Sequence, residues 1–365
     1  MTSSKENNVK VVFAGAYNTG EVLTGPEKVC KRIFAEYSKK HGTVFLDYFR
    51  DGSKYGLIRK LFGFEKVDEI NGSPVFRMGI FRMIAKLFIA NPGIIHILSF
   101  ERFAVFVFIL KLITRVKIYY NVNGIIKHEN KYFNKENYRT VFLNSVVESV
   151  LMNLSDIVFH LSERSKFLIL SYYHINKLKL KPVRNGLDEY FLRSEKKNNS
   201  KDINSIVFIG DISRKEKGAG FLIDALSLIE YRLKLYVVSD DKNIQGTKTG
   251  NSSEIIFVER LNPSGLIDFL KDKNIIAAPG MYDQFNIAVL EAVSCGLYPV
   301  ITKQTGVSEF IGEFTKCSIV EYGDTKALAS AIEYILKNKV SIDSFPNLSK
   351  LSWENVFRDY YSIYY

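Results

Sequence analysis

"NIIAAPGMYDQFNIAVLEAVSCGLYPVIT", residues 274–302, is the stretch from which the architecture can be read. Its opening residues are apolar and end in Pro279–Gly280, the pattern of a buried strand running into a loop. An apolar run of helical length follows, a small-residue break comes at Cys295–Gly296, and "LYPVIT" reads as a fresh strand. Strand, helix and strand in this order form a βαβ unit, which makes the two strands parallel. Asp283 falls in the loop at the carboxyl end of the first strand, and Glu291 falls eight positions later, inside the helix. A helix starting near Phe285–Asn286 offers the N–H groups of Asn286, Ile287 and Ala288 to an anion, because the first turn has no intrahelical partners. A diphosphate fits such a terminus, with the two carboxylates accepting hydrogen bonds from hydroxyls beside it. Plainer readings stay open: Asp283 as a helix cap, Glu291 as a solvent-facing helix residue.

The same alternation extends outward in both directions. Strands are expected at 9–15, 43–49, 93–99, 116–124 and 155–162, with helices through 25–42, 101–114 and 162–173. The helix at 25–42 has Pro26 in its first turn and a Gly stop at 42. "FLRSEKKNNSKDIN", 191–204, has little to bury and reads as a linker. Beyond it the alternation restarts with "SIVFIGD" and continues to "DTKALASAIEYILK". Two α/β domains follow, 1–190 and 205–343, each with a parallel sheet, with ligands expected in the cleft at the carboxyl ends of the strands.

The 365 residues exceed what one hydrophobic core usually serves, and 47% hydrophobic residues supply two. The net charge of +11 points to an anionic partner: a phosphate ligand, nucleic acid or an acidic membrane surface. No compact basic–aromatic recognition motif supports nucleic acid. Cys30, Cys295 and Cys317 form no CxxC pair and read as free thiols of a reducing compartment. The polar N-terminus lacks the apolar core of a signal peptide, and the apolar run at 103–110 is too short to span a bilayer. A cytoplasmic protein is the expectation, with peripheral contact at an anionic membrane as an open addition. That addition rests on "YGLIRKLFGF" (55–64) and "FRMGIFRMIAKLF" (76–88), read as helices that set Arg and Lys beside Phe, Leu, Ile and Met.

"YDQFNIAVLEAVSCGLYPVI" resembles the paired-acid region of glycosyltransferase family 4, retaining enzymes of the GT-B fold. Further stretches align in order along nearly the whole chain. "TGPEKVCKRIFAEYSKKHG" is similar to the family's first-loop glycine and helix, and "SDIVFHLSERSKFLI" and "KPVRNGLDEYF" to its middle signatures. "FIGDISRKEKGAGFLIDAL" resembles its glycine–lysine phosphate loop, and "TGVSEFI" and "SWENVFRDYYSIYY" complete the run. The resemblance implies two Rossmann-like domains facing across a cleft, with a C-terminal helix, 344–365, returning to the first. It also implies transfer of a sugar from a nucleotide sugar, a UDP-sugar foremost, to a glycan or lipid-linked saccharide in cell-surface polysaccharide or glycoconjugate assembly, with no metal or cofactor. Glu291 would then hold the ribose, Asp283 would lie against the donor sugar, and Lys217, Arg214, the helix start at 286–288 and backbone near Gly25 would hold the diphosphate.

Four positions depart from that pattern. Asp283 stands for the usual Glu, Asn286 for Gly, and Asp211 for the Arg that follows the loop glycine, with Arg214 the natural substitute. Asn123 stands where a His is frequent; it donates to a sugar oxygen but does no acid–base work near neutral pH. Ser99, Glu101, Asn121 to His128 and Thr24 are expected to line the acceptor side. Competing readings are a degenerate GT-B domain that binds without turnover, and a nucleotide-sugar epimerase, for which the five His residues offer no persuasive setting.

Overall fold

The structure is a computed structural model that describes residues 11–49, 56–133, 138–193, 202–240, 253–340 and 348–365. The chain divides into two compact α/β units. Residues 11–161, 166–183 and 356–365 form the first, and 162–165 with 184–355 form the second. Of the linker expected at 191–204, residues 194–201 lie outside the described residues.

The first unit runs β1 (Val11–Ala14), α1 (Gly25–Ser38), β2 (Phe45–Tyr48), α2 (Leu57–Phe62), β3 (Phe64–Ile70), β4 (Ser73–Met78), α3 (Ile80–Ala90) and β5 (Ile94–Ile97). A 3₁₀ turn at Arg102–Phe106 leads into α4 (Val107–Ile113), then β6 (Lys117–Asn121), α5 (Ile126–Tyr132), α6 (Tyr138–Leu154), β7 (Ile157–His160), α7 (Glu163–Tyr172) and β8 (Leu180–Pro182). The eight strands lie in the order β3-β4-β2-β1-β5-β6-β7-β8. Every pairing is parallel except the β3–β4 hairpin at the edge. β1 is fully buried, as a central strand covered on both faces must be.

Both 55–64 and 76–88 hold a helix, α2 and α3, as expected, but the hairpin takes Phe64 into β3 and Phe76–Met78 into β4. Phe76–Met78 pair with β2, and α3 begins only at Ile80. Two glycines make the switch. The Gly79 N–H donates to the Gly63 carbonyl at 2.9 Å. A Cβ on Gly79 would lie 2.5 Å from the Leu61 carbonyl carbon, and one on Gly63 would lie 2.4 Å from the Arg59 oxygen. Only bare backbone lets the two segments approach so closely.

The second unit runs α8 (Glu189–Leu192), β9 (Ser205–Ile209), α9 (Ala219–Leu226), β10 (Lys234–Val238), β11 (Glu254–Val258), α10 (Pro263–Leu270), β12 (Ile275–Ala278), α11 (Ile287–Ser294), β13 (Tyr298–Thr302), β14 (Ser318–Val320) and α12 (Thr325–Lys337). Its six strands are all parallel, in the order β11-β10-β9-β12-β13-β14. This is the doubly wound order, and the winding reverses between β9 and β12, where such sheets bind ligands.

The last helix, α13 (Trp353–Tyr364), begins over Gly186 of the second unit, where a Cβ would meet the Trp353 ring at 2.5 Å. From Val356 onward it belongs to the first unit, so the C-terminal helix does return there. A buried polar chain fixes it. The Tyr364 hydroxyl donates to His96 Nδ1 (2.6 Å), His96 Nε2–H donates to Asn121 Oδ1 (2.9 Å), and Asn121 Nδ2 donates to the Tyr360 hydroxyl (2.8 Å). Burial pushes His96 down to about 3, against the Asn121 hydrogen bond, so the imidazole is neutral and its tautomer is set by these partners.

Candidate functional site

The two loops that leave β9 and β12 lie at the winding reversal of the second sheet and are locked to each other. After β9, Asp211 Oδ1 accepts from the Ser213 N–H (3.0 Å) and hydroxyl (2.7 Å), an Asx turn that folds the loop back. A 3₁₀ turn at Lys215–Lys217 ends at Gly218, whose φ is +77°. A Cβ at Gly218 would sit 2.1 Å from the Pro279 carbonyl oxygen. Glycine is therefore required there twice over, for the left-handed backbone and for the approach to the β12 loop. The Met281 N–H donates to the Glu216 carbonyl (2.8 Å) and completes the lock.

This register places Lys217 and Asp283 in contact, 66 positions apart in sequence, with Nζ 2.6 Å from Oδ2. The other Asp283 oxygen accepts from the Phe285 N–H at 3.1 Å, so the carboxylate both turns its loop and holds the lysine. That contact also answers the capping question. Phe285 precedes the helix, and the N-cap of α11 is Asn286, with no side-chain cap bond. Asn286 takes φ +68° and ψ +76°, a left-handed conformation that Asn tolerates better than other non-glycine residues. Ile287 and Ala288 follow, partly exposed, in the first turn of α11.

Glu291 is 3% exposed and surrounded in sequence by Val289, Leu290, Ala292 and Val293, all fully buried. The solvent-facing reading is removed. A carboxylate in that setting needs partners, and Glu291 does interact within the protein. Arg214 lies about half exposed, its guanidinium on the carboxylate of Glu216, which is buried. Arg214 and Lys217 are thus each matched with an acid. Glu216 was missed in the sequence because nothing in "SRKEKG" distinguishes a buried Glu from a solvated one.

Gly25 and Asn123 belong to the first unit. Gly25 opens α1, and a Cβ there would meet nothing within 4 Å, so no protein contact demands a glycine. Glu27 reaches back to the Thr24 N–H at 2.8 Å and steadies that turn. Asn123 Nδ2 donates to the Leu98 carbonyl at 2.7 Å, tying the end of β6 to the end of β5. Two residues expected to line the acceptor side are core instead. Ser99 accepts the Ala16 N–H at 2.7 Å, and Asn121 is consumed by the His96–Tyr360 chain, both buried. His128 Nδ1 lies 3.2 Å from the Tyr172 hydroxyl. Among the described residues no group of three or more His, Cys, Asp or Glu is placed to hold a metal ion.

Residues 203–338 match the family model described as Glycosyl transferases group 1. A phosphatidyl-myo-inositol mannosyltransferase of Mycobacterium leprae is 22% identical over 142 residues, which cover 37% of this chain and 38% of that protein. The chain spans less than two thirds of the length of the curated relatives it matches. Among solved structures, sucrose-phosphate synthase of Thermosynechococcus elongatus superposes with a TM-score of 0.74 at 14% identity, covering 97% of this chain and 98% of that one. HepE of Anabaena, in complex with UDP and glucose, superposes with a TM-score of 0.70 at 16% identity, covering 97% and 99%. The chain has the fold of the GT-B glycosyltransferases, and its second unit is similar to glycosyl transferases group 1.

Proposed function

We propose that the chain is a retaining glycosyltransferase of family 4 that moves a sugar from a UDP-sugar to a saccharide or lipid-linked saccharide. The observation that carries this reading is the Lys217–Asp283 pair, held beside the start of α11 by the loops of β9 and β12. A diphosphate seated there draws on the Lys217 ammonium, the N–H groups of the first turn of α11 and, from the same loop, the Arg214 guanidinium. Those charges stabilise the negative charge that develops as the sugar–phosphate bond breaks. Asp283, released from part of its ion pair, accepts a donor-sugar hydroxyl, and Glu291 accepts from the ribose. The acceptor oxygen bonds to the anomeric carbon on the face the diphosphate leaves, and a phosphate oxygen takes the acceptor's proton. HepE, a structural neighbour, was solved with UDP and glucose, which supports UDP as the first nucleotide to try.

The test is a thermal-shift panel of UDP, GDP, ADP, CMP and dTDP on the wild type, Lys217→Ala and Glu291→Gln. Ligand at one hundred times its dissociation constant stabilises by about 2.7 kcal/mol. A rise with one nucleotide that shrinks in both variants supports the site, and no rise with any nucleotide overturns it. The matching of both cations with acids favours a second reading, a binding domain without turnover. Release of nucleoside diphosphate from a sugar donor with an acceptor present separates the two.

A further inference from the structure

The first unit carries a surface that the sugar-transfer reading leaves unused. α2, α3, the 102–106 turn and α4 adjoin one another in that order. Together they expose large apolar side chains that a solvated helix face normally buries. On α3, Phe81, Ala85, Phe88 and Ile89 are exposed at helical spacing, with Ile89 81% exposed. On α4, Leu112 (88%) and Ile113 stand out in the same way, and Ile58 (79%) does so on α2. Stripes at this spacing are the core-facing faces of ordinary amphipathic helices, but here they face outward.

The charges on these elements are of one sign. Residues 57–62, 80–90 and 102–113 contain Arg59, Lys60, Arg82, Lys86, Arg102 and Lys111, and no Asp or Glu. Other helices of the unit are mixed: α1 carries Glu27 and Glu36, α5 carries Glu129, and α13 carries Glu354 and Asp359. Arg59 and Lys111 also pair with Glu65 and Asp156 from neighbouring elements, which lowers the local charge without reversing it.

We propose that this face docks on an anionic phospholipid bilayer, with the apolar side chains of α3 and α4 entering the headgroup–acyl boundary and the basic side chains meeting lipid phosphates. A bilayer supplies both halves of the complementarity, an apolar interior beneath a negative surface. A second copy of the chain supplies only the apolar half, because a symmetric contact would set like cations against one another. No described helix is long and apolar enough to cross a membrane, so the contact is a surface one.

The experiment is flotation of the full chain with vesicles of phosphatidylcholine alone and of three parts phosphatidylcholine to one part phosphatidylglycerol, at low and high salt. Wild type, Ile89→Asp/Leu112→Asp and Arg82→Gln/Lys86→Gln are compared. These side chains are exposed, so circular dichroism should show all three folded alike. The expected result is binding to the anionic vesicles alone, weakened by salt, and reduced on the order of tenfold or more in each double variant. No binding by the wild type at low salt overturns the proposal, as does equal binding by the Ile89→Asp/Leu112→Asp variant. Self-association that those same substitutions abolish, seen by sedimentation without lipid and with no vesicle binding, assigns the face to a second copy and also overturns it. The readout is lipid binding, so it stands or falls separately from the nucleotide panel.

Discussion

Gly218 and Lys217 are adjacent and bring opposite demands to the site. Gly218→Ala must either leave the left-handed region or push the Pro279 carbonyl away, since its Cβ would lie 2.1 Å from that oxygen. Strain and overpacking each cost on the order of 1–3 kcal/mol, so urea unfolding of the second unit should show a loss of about 2–6 kcal/mol. Lys217→Ala keeps the backbone and removes the cation; calorimetry should find UDP bound at least tenfold more weakly, with stability little changed. Asp283→Asn goes the other way. It releases the ammonium now held at 2.6 Å, so plain UDP should bind more tightly, by about tenfold, while turnover of the sugar donor falls. A variant that loses UDP affinity together with turnover would show that Asp283 acts through the loop and not through Lys217. At this scale the sequence was partly readable. Asn286 stands where the resembled family has Gly, and its left-handed backbone fits that, since Asn is the non-glycine residue that best tolerates positive φ. The Lys217–Asp283 bond was not, because no local rule joins residues 66 apart.

Elements with a strong period were legible, and those without one were not. β1, α1, β12 and α11 could be read from apolar runs and their breaks, because buried parallel strands and amphipathic helices write plain patterns. β3, "FEKVDEI", carries four charges and lies at the sheet edge, where pairing needs no apolar face, and its partner β4 runs into an apolar helix across Gly79. α6 hides a detail that its pattern does not announce either. Its Glu148 is buried, accepts the N–H groups of Ile126 (2.9 Å) and Lys127 (3.2 Å) at the start of α5, and accepts the Tyr173 hydroxyl. Burial pushes its carboxyl up to about 7, opposed by those hydrogen bonds. The folded group thus keeps a proton that the unfolded group loses near 4.5, and its contribution, present below 4.5, fades as pH rises to 7. His96 has the reverse sign: its contribution is full above 6.5 and fades as pH falls toward 3. Between 4.5 and 6.5 the two oppose each other. Glu148→Gln leaves His96 unopposed, so the variant-minus-parent stability should rise with pH across that window, by up to about 1.4 kcal/mol per unit. A flat difference in chemical unfolding would show that Glu148 stays ionised.

At the scale of the whole molecule, each unit has its own sheet and core, so unfolding need not be a single two-state event. In scanning calorimetry, nucleotide should raise the transition of the second unit, which holds the loops of β9 and β12, before that of the first. Truncation after Asn355 should do the converse. It removes Tyr360 and Tyr364, leaving His96 and Asn121 buried without those partners, and the first unit should lose protection from amide exchange while the second keeps it. The path of the chain has a further effect during synthesis. The first unit's residues up to Val183 leave the ribosome early, but α13 appears only after the 172 residues between Val183 and Val356 have been added. At about 5–20 residues per second that interval is roughly ten to thirty seconds. Through all of it the surface that Tyr360 and Tyr364 will cover stays open, with His96 and Asn121 still lacking those partners, while the second unit is completed downstream. The half made first is therefore the half finished last, and in a living cell it is the half that most needs a chaperone to wait with it.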